Sequence, residues 1–225
     1  KKKYKIKIKI YICDLEEAIE RAQFIKSLKL EINKLDILIN NASLVGDSNL
    51  KGWSTNFENQ SIEAWKRSIE VNVTAAFHLT QGLVSLLKKS KGASIVNISS
   101  IYGMYGPDLR LYKDTKIYNP AGYAVSKGGL IQLTRWLSTT LSPKVRVNAI
   151  SPGPMRTLAG AAIGGARRTY KFTEQNAPLN ANASLEAIGG TAVYLISEAG
   201  KSTTGEIIHV DGGYHVMGMP RLENL

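Results

Sequence analysis

Apolar and polar positions alternate along this chain with two different periods. Over residues 4–12, lysine alternates with isoleucine or tyrosine, and this two-residue period predicts a strand with one buried face. From residue 15 to about residue 33, apolar side chains recur at the spacing of one helix face. The first part of the chain therefore predicts a strand followed by an amphipathic helix.

The same two patterns repeat to the end of the chain. Further strands are predicted at residues 36–40, 93–99, 144–150 and 206–210. Further helices are predicted at 61–89, as one long helix or two abutting ones, and at 122–141 and 185–197. The strand at 36–40 is predicted to be buried, and residues 103–120 have no clean period and predict a loop. Repeated strand–helix alternation implies an α/β fold with a parallel sheet covered on both faces. Since no linker or repeat interrupts the pattern, we expect one domain over residues 1–225.

Composition limits the class of protein. The 225 residues are 44% hydrophobic and 21% charged, which is sufficient for one sizeable core. Cys13 is the only cysteine, so a disulfide scaffold is excluded and a reducing compartment is favoured. No apolar run approaches the ~20 residues that a membrane span needs, and no signal-peptide pattern opens the sequence. We therefore expect a cytoplasmic protein without a membrane partner.

The formal net charge of +11 is concentrated at one end, because six lysines lie within residues 1–9. One interpretation is a solvated lysine face on an edge strand, and the other is a patch for an anionic partner. No basic stripe interleaved with aromatic residues follows, so we favour the first and expect no nucleic-acid partner. His78, His209 and His215 are scattered and no cysteines are paired, so no metal site is predicted.

Polar residues follow three of the predicted strands, at positions 40–43, 97–100 and 151–153. In open parallel sheets, ligands bind at the carboxyl ends of the strands. We therefore expect a binding site where these three segments meet.

Tyr123 and Lys127 are the most informative pair for chemistry. Their spacing of four places both on one face of the predicted helix. A phenol ordinarily titrates near pH ~10, but a neighbouring ammonium favours the phenolate and lowers its pKa. Such a pair can therefore donate or accept a proton, although on its own the pattern is usually a surface pair.

Together with other motifs in the same order, this pair resembles the short-chain dehydrogenase/reductase family from about Ile12 onwards. Asn40-Asn41-Ala42-Ser43 is similar to the family's Asn-Asn-Ala-Gly turn, with serine in place of glycine. The other matches are the family's catalytic asparagine and serine, its Pro-Gly-x-x-x-Thr segment and its closing turn: Asn72, Ser100, Pro152 to Thr157, and Asp211-Gly212-Gly213. The resemblance implies a Rossmann-like, doubly wound parallel sheet.

The resemblance also implies a mechanism. Tyr123 would exchange a proton with the oxygen of a small-molecule substrate, Ser100 would hydrogen-bond that oxygen, and Asn72 would position a water molecule. Lys127 would lower the tyrosine pKa and hold the nicotinamide ribose of NAD or NADP. The implied cofactor-binding residues are Asp14, Asn40, Asn41, Ala42, Tyr123, Lys127, Pro152, Gly153 and Thr157. Relatives are commonly joined through two long helices, so we expect a homodimer or homotetramer assembled through 61–89 and 122–141.

One departure from the family pattern concerns the cofactor. The family opens with a glycine-rich loop that carries the pyrophosphate, whereas the first glycine here is Gly46. The first strand, first helix and second strand are not visible, so the first βαβ unit is absent from the sequence as given. We favour a truncated or incomplete record over a degenerate member that does not hold NAD(P) in the usual way. The preference between NAD and NADP is consequently unreadable.

A second departure concerns the substrate. Ser100 and Tyr123 lie 23 positions apart, roughly twice the family's usual separation, which predicts a longer loop at the mouth of the site. The middle of the chain resembles reductases of bacterial surface-sugar and flagellin-glycan pathways, whereas the C-terminal part resembles enoyl-acyl-carrier-protein reductases. Those enzymes separate their tyrosine and lysine by seven positions, so the spacing of four favours carbonyl/alcohol chemistry. Enoyl reduction is the alternative, and a non-catalytic binding protein of the same fold is a third.

Overall fold

Four parallel strands form the framework of the protein, described here by a computed structural model over residues 6–45, 50–114, 118–155 and 166–217. The strands are β1 (Ile37–Asn40), β2 (Ala93–Ile98), β3 (Val145–Pro152) and β4 (Ile207–Val210). They pair in the order β1-β2-β3-β4, and all three pairings are parallel. The strands predicted at 36–40, 93–99, 144–150 and 206–210 are therefore confirmed.

Helices connect the strands and cover them. They are α1 (Ala18–Glu31), α2 (Ile62–Ile69), α3 (Ala75–Leu87), α4 (Ala121–Leu141), α5 (Ala166–Asn176) and α6 (Leu185–Ile196). The predicted helix at 61–89 is divided, because Glu70–Thr74 form a π-helical turn between α2 and α3. The sequence pattern did not predict α5. None of the helices in the described ranges is long and apolar enough to span a membrane.

Apolar side chains alternate across the central strands and meet helices on both faces. Ile95 of β2 and Val147 of β3 pack with side chains of α3 and α4. On the opposite face, Val96 and Ile150 pack with Leu195 of α6. Since successive residues of a strand point to opposite faces, this arrangement confirms the doubly wound α/β fold.

Two expectations about the first part of the chain are wrong. Residues 6–12 form no strand; instead Lys9 and Tyr11 hydrogen-bond Glu31 of α1, and the Tyr11 ring lies 5.3 Å from that of Phe24. The two-residue period is present, but these residues contact a helix rather than a neighbouring strand. β1 lies at one edge of the described sheet rather than inside it. It is not buried, since the side chain of Ile39 is 43% exposed.

Substitutions on adjacent strands should reveal this difference between centre and edge. Ile95 is fully buried between helices and sheet, so Ile95→Ala should lower the free energy of unfolding by ~2–5 kcal/mol. Ile39→Ala removes the same atoms from the exposed edge and should cost under ~1 kcal/mol. Urea denaturation followed by circular dichroism measures both values. Equal losses would show that the edge is as well packed as the centre.

Candidate active site

Three contacts fix the end of β2 against α4. The Nζ of Lys127 donates to the carbonyl oxygen of Ile98 at 2.8 Å, and the Oγ of Ser99 donates to the carbonyl oxygen of Lys127 at 2.9 Å. Gly103 completes the contact, because a Cβ at this position would lie 2.7 Å from the carbonyl carbon of Lys127. The backbone of the turn therefore touches the backbone of α4 directly, and only glycine allows this approach.

This contact brings Ser100 and Tyr123 together. Ser100 directly follows the end of β2, and its Oγ accepts a hydrogen bond at 3.2 Å from the backbone N–H of Tyr102 in the 3₁₀ turn Ile101–Gly103. Tyr123 lies in the first turn of α4, and its phenol is close enough to the Ser100 hydroxyl for that side chain to lower the phenol's pKa. The structure thus places two of the predicted catalytic residues in contact, although 23 positions separate them in the sequence.

The pKa values of Tyr123 and Lys127 move in opposite directions, and both follow from burial. Burial raises the pKa of the Tyr123 phenol, opposed by the hydrogen bond from Ser100. Burial lowers the pKa of Lys127, which is 2% exposed, from 10.5 to about 8. In each case the charged form is disfavoured because it loses its hydration.

Lys127 is not among the groups that set the direction of the Tyr123 pKa here, and its predicted role in lowering that pKa stays a prediction. The amine is directed at the carbonyl oxygen of Ile98, and its nitrogen lies 5.7 Å from the centre of the Tyr123 ring. At that separation, loss of hydration outweighs attraction between ammonium and phenolate. Tyr123 is consequently held as a protonated phenol.

Asn72 lies in the π-helical turn and connects α4 with the segment that follows β1. Its Oδ1 accepts from the Oγ of Ser43 at 3.0 Å and from the backbone N–H of Leu44 at 2.7 Å. Its Nδ2 donates to the Oγ of Ser126 at 2.8 Å and to the carbonyl oxygen of Leu44. These protein groups occupy the hydrogen-bonding capacity of the amide, so here it joins elements. Its predicted role in positioning water stays a prediction.

The residues predicted to bind a cofactor lie at the carboxyl ends of the strands, but they differ in their surroundings. Asn41 and Ala42 are exposed immediately after β1, whereas the Nδ2 of Asn40 donates to Asn97 at 2.8 Å within the sheet. Asp14 is exposed near the start of α1, and its carboxylate accepts from the backbone N–H of Glu16 at 2.9 Å. Because its amide donates to Asn97, Asn40 is positioned to support the sheet.

The Pro152-Gly153 segment, at the end of β3, is buried against the turn that follows β4. A Cβ on Gly153 would lie 2.6 Å from the Cβ of Asp211, so glycine is required for this approach. Thr157, the last residue of the predicted nicotinamide-contacting segment, lies outside the described residues.

The end of β3 also fits the nicotinamide half of a dinucleotide. The Oγ of Ser151 is buried and has no hydrogen-bond partner within the described ranges. A buried hydroxyl normally has a partner, and the carboxamide of a ligand at this strand end is one that could supply it. The first glycine of the given sequence is Gly46, after β1.

Sequence reasoning missed a cluster of histidine and tyrosine side chains beside the site. The rings of His209 and His215, which the sequence analysis treated as scattered, stack with their centres 3.9 Å apart. His215 and Tyr102 line a cavity of about 230 Å³. The spacing of four between Asp211 and His215 is the sequence signal that could have revealed this cluster. In the described part of the chain, no group of three or more histidine, cysteine or acidic residues could hold a metal ion.

Comparison with known proteins places this geometry in a family. The family model described as enoyl-(acyl carrier protein) reductase matches residues 1–215. The chain belongs to the short-chain dehydrogenase/reductase family. This membership agrees with the parallel sheet and with the contact between Ser100 and Tyr123.

Three relatives of this short-chain dehydrogenase/reductase illustrate the range of similarity. The NADH-dependent enoyl-[acyl-carrier-protein] reductase FabI of Synechocystis is 33% identical over 92% of this chain and 74% of its own length. An enoyl-(acyl-carrier-protein) reductase of Anaplasma phagocytophilum, solved with NAD, gives a TM-score of 0.78 at 29% identity, covering 93% of this chain and 75% of its own. A Brucella melitensis short-chain dehydrogenase/reductase named glucose/ribitol dehydrogenase gives a TM-score of 0.75 at 26% identity. That match covers 90% of this chain and 74% of the Brucella chain.

The contact at Gly103 yields a prediction for stability in this family member. Gly103→Ala should lower the free energy of unfolding by ~1–3 kcal/mol, because the added methyl group meets the backbone of α4. Gly106→Ala is the matched control: no atom lies within 4 Å of its added Cβ, so its effect should stay within ~0.5 kcal/mol. Urea denaturation of both variants measures the difference. Equal stability of the two would contradict the proposed close approach.

The buried Lys127 yields a second prediction, on pH. Between pH 8 and 10.5 the unfolded chain keeps the lysine proton while the folded chain releases it. Stability should therefore rise with pH through this window, gaining up to ~3 kcal/mol relative to Lys127→Met. Unfolding free energies of both proteins at pH 7, 8.5 and 10 measure the effect. Parallel pH curves would show that the Lys127 pKa is not lowered by burial.

Proposed function

We propose that this protein is a cytoplasmic oxidoreductase that transfers a hydride between NAD or NADP and a carbonyl/alcohol substrate. The observation that carries the proposal is the contact between Ser100 and Tyr123 at the carboxyl end of the sheet, with Lys127 one helical turn further along α4. Family membership supports redox chemistry with a nicotinamide cofactor. Two of the three relatives named above carry NAD in the structure or NADH in the name.

The protein's part in the reaction is to move one proton. Because its pKa is raised, the Tyr123 phenol stays protonated at neutral pH and is suited to donate to a substrate oxygen during reduction. Ser100 supplies a second hydroxyl toward the same oxygen, where negative charge develops. The bound nicotinamide supplies the hydride. In this proposal Lys127, Pro152 and Gly153 would hold its nicotinamide half, and Asp14, Asn41 and Ala42 would hold its adenosine half.

Enoyl-acyl-carrier-protein reduction is the second candidate. The description of the matching family model and the names of two of the three relatives favour it. Against it stands the spacing of four between Tyr123 and Lys127, together with the direct contact between Ser100 and Tyr123. That pairing presents two hydroxyl groups to one oxygen, an arrangement suited to a carbonyl. We therefore keep carbonyl/alcohol chemistry as the main proposal.

Removal of the phenolic hydroxyl tests the proposed proton donor. Tyr123→Phe should lower kcat by ~10²–10⁴-fold with ketone substrates, because no other group there delivers the proton. Its affinity for NADH and NADPH, titrated by nicotinamide fluorescence, should be nearly unchanged. Tyr118→Phe is the matched control, since Tyr118 precedes α4 and its carbonyl oxygen accepts from the Oγ of Ser54.

Three outcomes of this experiment would redirect the assignment. Full activity of Tyr123→Phe would show that another group is the acid. Turnover of a crotonyl thioester but of no ketone would favour the enoyl reductase. Failure of the wild-type chain to bind NADH or NADPH would favour a non-catalytic binding protein.

We further infer that the protein is a homodimer or homotetramer joined through α3 and α4. Trp136 on α4 is 54% exposed, and Val125 on α4 and Phe77 on α3 are also exposed. Large apolar side chains grouped on an exposed surface are typical of a subunit interface. Sedimentation velocity should show a species of two or four times 24.6 kDa, and Trp136→Lys should shift it toward the monomer. A monomer alone at micromolar concentration would contradict the inference.

A further inference from the structure

Asp211 and His215 form an oriented pair at the turn that follows β4. The carboxylate of Asp211 is buried and accepts from the backbone N–H groups of Gly213 at 2.9 Å and His215 at 3.0 Å. It also accepts from the Nδ1 of His215, which lies 2.9 Å from one of its oxygens. A carboxylate only accepts hydrogen bonds, so Nδ1 carries the proton and the tautomer is fixed. The other ring nitrogen, Nε2, is then the one that can serve a ligand.

The His215 ring lies in a cluster with two aromatic neighbours. His209 stacks against it at 3.9 Å with an angle of 15° between the rings, and Tyr105 lies 6.2 Å away at 28°. Burial and the proximity of His215 lower the pKa of His209, so His209 remains neutral and the stack avoids repulsion between two cations. A side chain held by a carboxylate and two rings is preorganised for binding rather than free to rotate.

His215 forms one wall of the cavity beside Tyr102. The opposite walls come from Asp108 and Arg110 of the turn before α4, and from Phe172 of α5. The volume of about 230 Å³ is below the ~300–1,000 Å³ of typical ligand pockets, so the cavity suits a compact molecule. Aromatic, aliphatic and hydrogen-bonding side chains all contribute to its lining.

The charges in the cavity are already paired. Arg110 donates two hydrogen bonds to Asp108, at 2.8 and 2.7 Å, and this pairing holds the pKa of Asp108 below its usual range. The carboxylate of Asp211 is held by the hydrogen bond from the Nδ1 of His215. An anionic ligand would therefore meet two carboxylates, and an alkyl chain would displace water from polar groups without replacing their hydrogen bonds. A neutral ligand with several hydroxyl groups satisfies both conditions.

We propose that this cavity receives a compact, polyhydroxylated ring, and that the Nε2 of His215 hydrogen-bonds one of its hydroxyl groups. The ring's C–H faces would lie against Tyr102 and Phe172, with its hydroxyls toward His215 and Asp108. The inference rests on the proposed carbonyl/alcohol function, for which it names the substrate class. Ile101 and Tyr102 of the cavity wall directly follow Ser100 in the chain, and in this proposal the ring directs its carbonyl toward Ser100 and Tyr123.

A matched pair of ring ketones tests this substrate class. Scyllo-inosose and cyclohexanone share a six-membered ring and one carbonyl, and they differ only in five hydroxyl groups. With NADH or NADPH, the full chain should reduce scyllo-inosose with at least tenfold higher kcat/KM. His215→Phe retains the aromatic stack but loses Nε2. It should reduce the preference for scyllo-inosose over cyclohexanone about tenfold, mainly by raising the KM for scyllo-inosose. Val216→Ala, at an exposed neighbouring position, is the control and should leave both ketones unchanged.

The outcomes separate this inference from the proposed function. Preference for cyclohexanone, or an unchanged ratio in His215→Phe, would overturn the inference while the carbonyl chemistry stands. If neither ketone is turned over, the cavity assignment is tested by binding instead. The melting temperature of the protein is then measured in the presence of myo-inositol and, for comparison, of cyclohexanol. Stabilisation by myo-inositol that is lost in His215→Phe would support the cavity assignment even though the proposed function had failed. No stabilisation would overturn the cavity assignment as well.

Discussion

The direct backbone contact between the turn after β2 and α4 is the constraint on which the site depends. Gly103 permits it, and the hydrogen bonds from Ser99 and Lys127 fix it at both ends. Because β2 is central in the parallel sheet, the contact joins the most buried part of the core to the helix that carries Tyr123. Any movement between the two elements would separate Ser100 from Tyr123. The geometry of the site therefore depends directly on the packing of the core.

The same contact buries the site, and burial accounts for the pKa shifts of its residues. The pKa of Tyr123 is raised and that of Lys127 is lowered to about 8, both because charge is costly there. A dry site also strengthens hydrogen bonds to an oxygen that gains charge. The cavity next to Tyr102 differs, since its carboxylates are hydrogen-bonded to neighbouring side chains, Asp108 to Arg110 and Asp211 to His215. The proposed proton donor and the proposed substrate cavity therefore lie in different local environments.

Local sequence patterns predicted the parts of this protein that depend on local periodicity. The four paired strands and the helices at 61–89, 122–141 and 185–197 were visible as apolar periods, and Ser100 and Tyr123 as strand-end and helix motifs. Residues 6–12 were mistaken for a strand because they have the two-residue period of a strand. They pack on α1 instead of on a strand, and that choice of partner depends on the tertiary structure. The stack of His209 on His215 depends on how the turn after β4 folds back, which no spacing encodes. The direction of the Tyr123 pKa likewise depends on burial.

The central claim is that Ser100 and Tyr123 serve a carbonyl oxygen, and the site of hydride delivery tests it most directly. An α,β-unsaturated ketone offers both a carbonyl carbon and a conjugated β-carbon to the same cofactor. Reduction with NADH or NADPH deuterated on the transferred position, followed by NMR of the product, shows which carbon receives the label. We predict deuterium on the carbinol carbon, with the double bond intact. Deuterium on the β-carbon, with the ketone retained, would contradict the account and identify an enoyl reductase.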